Sequence, residues 1–126
     1  MRAKEATLAL LASGTVNLQN GDSKSTVYTV PTGKKAVVTL VVIRNPTASL
    51  AGGTDFDIGD GAGADTWKPT VDLSSLTAAT DHIIIQPPAT KMTVFDAGDA
   101  FGIIPVTGAT VDADATMDVF GYEIDV

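Results

Sequence analysis

Apolar residues in this chain recur at every second position more often than at every third or fourth. Residues 25–30 (STVYTV) alternate cleanly, the period of a half-buried strand. Residues 36–45 (AVVTLVVIRN) form the most continuously apolar stretch. They predict a central strand covered on both faces, by sheet on one side and by an arm or partner on the other. Asn45-Pro46 stops it, because the residue before proline leaves regular structure. Residues 50–63 read either as one long loop or as a short strand at 55–58 followed by a loop, 67–76 has room for one strand, and further strands are predicted at 81–86, 91–95, 100–106 and 116–126. In the last of these Phe120, Tyr122, Ile124 and Val126 share one face, with Asp118 heading the row. Pro31-Thr32-Gly33-Lys34 and Asp96-Ala97-Gly98-Asp99 are turn signals. The second is expected to join 91–95 to 100–106 as paired neighbours. Residues 1–24 fit a strand pair or one short helix. The spacing of Leu8, Leu10 and Ala12, then Val16 and Leu18, favours strands, with a turn at Asn20-Gly21-Asp22.

Eight or nine short strands separated by turn signals predict one all-β domain. The expected architecture is a single-domain antiparallel β-sandwich, jelly-roll-like, with an N-terminal arm. Residues 1–24 are the arm or first strand, and 25–126 the sandwich.

Composition agrees. The chain has 126 residues, the size of one domain, with 13 Val, 8 Ile and 17 Thr. Acidic residues are 13 Asp against 2 Glu, favouring turns over helices. Cysteine is absent, which excludes disulfides, thiolate metal sites and a cysteine nucleophile. The net charge of −7 opposes a general nucleic-acid binder. It is uneven: residues 1–45 carry +4 and residues 46–126 carry −11. No apolar run approaches the ~18 residues of a membrane helix. The run 6–12 after Arg2 and Lys4 is short and its charged flank is interrupted by Glu5, so it does not read as a signal peptide.

Several groupings are candidates for chemistry. The acidic loop 55–65 (DFDIGDGAGAD) has its carboxylates out of EF-hand register, although Asp55 and Asp57 share a strand face. Gly59, Gly61 and Gly63 lack the dinucleotide spacing. His82 beside Asp81 has no serine on a nucleophile elbow to activate. Trp67 with Tyr28 and Tyr122 suggests a sugar-stacking platform, against packing at the base of a loop. Asp112, Asp114 and Asp118 read as a soluble edge rather than a glycosidase pair. No catalytic residue, cofactor or metal is assigned, and the chain is not read as an enzyme.

The stretch 25–60 (STVYTVPTGKKAVVTLVVIRNPTASLAGGTDFDIGD), Thr66-Trp67, Ala97-Gly98-Asp99-Ala100-Phe101 and Asp118-Val119-Phe120-Gly121-Tyr122 resemble small virion proteins of tailed bacteriophages. These are β-sandwich proteins that decorate or cement capsids. The resemblance spans about half of the chain and rests on a Val-Pro-x-Gly-Lys turn into an apolar strand. It implies a multi-copy structural protein on the capsid surface of a virion, bound to the major capsid protein and to itself as a homotrimer. It implies no nucleic acid and no membrane as partner. The alternative is a carbohydrate-binding β-sandwich module. A mean hydropathy of +0.22 is high for a small monomer, which points to apolar surface shared with other chains. The partner-binding residues expected are Arg2, Lys4, Leu8, Leu10 and Leu11.

Overall fold

A computed structural model describes residues 8–88 and 93–126. Within them nine strands form and no helix: β1 (Ala9–Asn17), β2 (Ser25–Thr29), β3 (Lys34–Arg44), β4 (Asp55–Gly59), β5 (Lys68–Val71), β6 (His82–Ile85), β7 (Val94–Asp96), β8 (Ala100–Thr107) and β9 (Asp114–Asp125). One sheet has the order β1-β9-β3-β6, with β7 also on β3, and the other β2-β8-β4-β5. Every pairing between these strands is antiparallel. The chain passes between sheets from β1 to β2, β2 to β3 and β3 to β4, which is the winding of a jelly roll.

The strands alternate as their sequence dictates. On β3, Ala36, Val38, Val41 and Ile43 are fully buried. They meet Met117 and Val119 of the same sheet and Phe56, Ile58, Phe101 and Ile103 of the other in one core. Each of these Val, Ile, Phe and Met side chains contributes about 1.5–3 kcal/mol by leaving water. The opposite side of β3 differs from the expected double cover. Val37, Leu40 and Val42 are only half-buried among the described residues.

The pairing expected for 91–95 with 100–106 is not formed. The turn exists: Asp99 N–H donates to Asp96 O at 3.0 Å, Asp96 N–H to Asp99 Oδ2 at 2.8 Å, and Gly98 takes φ 89°. It joins different sheets, however. β7 pairs with β3, while β8 pairs with β2 and β4. Phe95 and Phe101, one in each sheet, meet edge to face in the core at 5.4 Å, which fixes the corner. The Pro31–Gly33 turn is a second corner, joining β2 to β3. The two are locked by Gly98 N–H to Val30 O at 2.9 Å and Val30 N–H to Asp99 O at 3.0 Å. Lys91 and Met92 lie outside the described residues.

Residues 9–17 are one edge strand rather than a strand pair or a helix. Leu10 pairs with Phe120 and Ala12 with Val119, so Leu11 is an extra residue, a bulge. The bulge switches the face of the alternation. Leu8 and Leu10 are 55% and 53% exposed, Leu11 packs at the core margin, and Val16 and Leu18 are fully buried. Arg2 and Lys4 lie outside the described residues.

Candidate functional site

The outer face of the five-stranded sheet is apolar across its middle. Register sets it out as rows running across the strands. Tyr122, Val37 and Val94 make one row. Leu10, Phe120 and Leu40 make the next. Ser13, Asp118, Val42 and Ile84 make a third. Ile84 is 58% exposed and Val94 51%. An antiparallel sheet with one solvated face ordinarily carries polar residues there, so eight apolar side chains on that face single it out as the candidate site.

Ion pairs bound the apolar rows at both ends. Arg44 sits beside Thr116 and reaches diagonally to Asp118, two positions along β9. Its Nε donates to Asp118 Oδ2 at 2.7 Å, and Ser13 Oγ donates to Asp118 Oδ1 at 2.6 Å. Asp118 is the buried charged residue of the described chain, at 8% exposure. The hydrogen bond from Arg44 holds its carboxyl below the ordinary 3.8, overcoming the upward push of burial with help from Ser13. At the other end Lys35 Nζ lies 3.2 Å from Asp96. The sequence placed Asp118 on this row but did not find its partner. The signal was there: Arg44 is the one charge within 36–45.

The other groupings resolve into structure. Trp67 is 3% exposed, and its Nε1 donates to Val38 O at 3.0 Å. Its ring meets Phe101 edge to face at 5.7 Å. Tyr28 is also buried, with its hydroxyl donating to Glu123 Oε2 at 2.6 Å. Tyr122 alone of the three aromatics reaches an outer face, so they do not make a platform. Asp57 accepts from Thr70 N–H at 3.0 Å and supports that β-branched residue at φ 59°. Asp60 bonds to the Thr66 hydroxyl. Among the described residues no group of three or more His, Asp or Glu side chains is placed to hold a metal ion. Asp81 Oδ2 accepts from Thr77 and Ala78 N–H at 3.0 and 2.9 Å, serving a turn, while His82 is exposed. A shallow groove of about 400 Å³ is lined by Gln19, Asn20, Gly52, Thr107, Gly108, Ala109 and Thr110, none of them ionisable. Among the described residues no helix is long and apolar enough to cross a membrane.

No family model matches the chain, and no curated protein does. Solved structures do. A chain of the cyanophage Pam1 capsid asymmetric unit superposes with a TM-score of 0.59 at 16% identity. The match covers 93% of this chain and 85% of that one, so the two share a fold that occurs within a phage capsid.

Proposed function

We propose that the chain is a structural virion protein that decorates or cements the surface of a phage capsid, in many copies, and catalyses nothing. The apolar outer face and the leucine-bearing edge of β1 carry this reading. A small acidic domain that leaves Leu8, Leu10, Ile84 and Val94 more than half exposed is shaped for multi-chain contact. The fold shared with a chain of a capsid asymmetric unit supports it. The proposed contact with the major capsid protein is made by the N-terminal segment. Leu8 and Leu10 bury apolar area there, with Leu11 anchoring them to the domain, and Arg2 and Lys4 steer toward acidic shell surface. On the shell itself, association of copies as a homotrimer is the arrangement expected from the sequence resemblance, separate from how free chains associate in solution.

Deleting residues 1–10 tests the reading. The cut stops before Leu11, which packs against the core, and leaves Val16 and Leu18 in place. The shortened chain is expected to fold, by circular dichroism, and to fail to co-sediment with capsids lacking the protein. Normal binding by the shortened chain would place the contact elsewhere. Absence of the full chain from purified virions would end the capsid reading.

A further inference from the structure

We infer that two copies of this chain pack face to face through the outer surface of the five-stranded sheet. Charge selects the occupant. The described residues hold 5 basic and 14 acidic groups. Between the Thr116 row and the Ile124 row, the outer face holds Lys35, Arg44, Asp96 and Asp118, two of each sign, joined in two pairs. The rest of the described chain keeps 3 basic and 12 acidic groups, a net of −9. Two identical chains meeting through the remaining surface, which as a whole is strongly acidic, bring net like charge together. Through this face they do not.

The layering reinforces this. Sheets stack about 10 Å apart, so two copies meeting here are ordered four-stranded, five-stranded, five-stranded, four-stranded. The two four-stranded sheets, with Asp55 and Asp57 facing outward, then stand about 30 Å apart, several times the roughly 8 Å Debye length at physiological salt. Both charge pairs on the face are satisfied within one chain, so neither needs a partner's counter-charge. Homodimer interfaces are the more apolar kind, and this face offers apolar rows without an unpaired charge.

The size fits as well. Three to four strands at about 4.8 Å spacing, over nine residues at about 3.4 Å, make a flat area of roughly 500 Å². A standard interface removes about 800 Å² of accessible surface per partner, and side chains raise accessible area above the flat projection. One patch meeting its own copy is an isologous contact, which closes at two.

Sedimentation velocity on the full chain tests the inference. The wild type is expected at twice the 12.9 kDa chain mass, in reversible equilibrium with monomer at about micromolar concentration. Ile84→Glu with Val94→Glu places two charges on the face at positions already half exposed. The double variant is expected to raise the dimer dissociation constant by about 100-fold or more. Val106→Glu, an equally exposed valine of the other sheet, is expected to leave it unchanged. Circular dichroism checks that the variants are folded, and the wild-type mass decides independently of them. A strict monomer up to about millimolar concentration, a trimer, or a dimer indifferent to the double variant would each overturn the proposal.

Discussion

Arg44 grips Asp118 diagonally across β3 and β9, and the pair stands at the edge of an otherwise apolar sheet face. The Asp118 side chain is 11% exposed, whereas the Arg44 side chain is 44% exposed. Truncating either partner therefore has unequal consequences. Asp118→Ala leaves a guanidinium that water can still reach, and is expected to cost about 1–2 kcal/mol. Arg44→Ala leaves a buried carboxylate with only the Ser13 hydroxyl, and is expected to cost more. A double-mutant cycle by urea unfolding measures the coupling. Equal single costs that simply add would show that the pair contributes nothing.

The same pair sets an acid limit. The folded Asp118 carboxyl is held below 3.8, so the unfolded chain takes up that proton first as pH falls. The pair's contribution is complete above the unfolded value and fades as pH drops through the folded one. Wild type and Asp118→Asn are therefore expected to converge in stability as pH falls through the lowered folded value and to differ most near neutrality. Parallel pH–stability curves would remove Asp118 from the account.

Tyr28 sets the alkaline limit. Burial pushes its phenol well above the ordinary 10.0, and the bond to Glu123 pushes it further. A raised phenol favours the folded state fully below the unfolded value and loses that contribution as pH rises beyond it. The difference in 295 nm titration between wild type and Tyr28→Phe is expected to place the Tyr28 step above pH 10, coincident with unfolding. A step at the ordinary value would mean the hydroxyl is open to water.

How far the sequence reached is plain from particular residues. Apolar patterning, read with turn signals, located most of the strands to within a few residues, with 55–58 left open against a loop, because inward positions such as Ala36, Val38, Phe101 and Ile103 must be apolar. It failed where one residue was inserted. The bulge at Leu11 turned Leu8 and Leu10 outward while the strand continued, and no local signal marks it. It also failed at Asp96–Asp99. A tight turn looks the same whether it closes a hairpin or crosses between sheets, and only the packing of Phe95 on Phe101 decides. The surface was half legible. The apolar run 36–45 and the high mean hydropathy were visible, but that the excess lies on one face, bounded by two ion pairs, depends on register.

Trp67 provides a spectroscopic check on the sugar-binding alternative. As the one tryptophan, buried and hydrogen-bonded to Val38 O, it should emit at short wavelength and resist acrylamide quenching. Emission is expected not to change with added saccharides. A saturable, sugar-dependent change would restore the carbohydrate module. Trp67→Ala is expected to cost about 3–5 kcal/mol, since it opens a large cavity and strands the Val38 carbonyl.

Two Phe-Gly dipeptides occupy equivalent places, one per sheet. Phe101-Gly102 faces the bulged Thr26-Val27-Tyr28 segment, and Phe120-Gly121 faces the bulged Val38-Thr39-Leu40 segment. In each, the partner strand's extra residue drives its backbone toward the glycine. A Cβ built on Gly102 would lie 2.0 Å from Ser25 O, and one on Gly121 would lie 2.0 Å from Val37 O. The obstacle is backbone inside a hydrogen-bonded ladder, so it cannot swing aside as a side chain would. Gly102→Ala and Gly121→Ala are each expected to cost about 3 kcal/mol or more, through overpacking that opens the ladder beside the bulge. Gly63→Ala is the control, because there the nearest atom, on the Asp65 side chain, is 3.9 Å away and no positive φ is required. It is expected to change stability by less than about 1 kcal/mol. Urea midpoints for the three variants decide the matter. If Gly121→Ala behaved like Gly63→Ala, the bulge at Thr39 would have to relax freely. Val37, Leu40 and Val42 would then lose the fixed register that sets them in rows with Tyr122, Phe120 and Ile84.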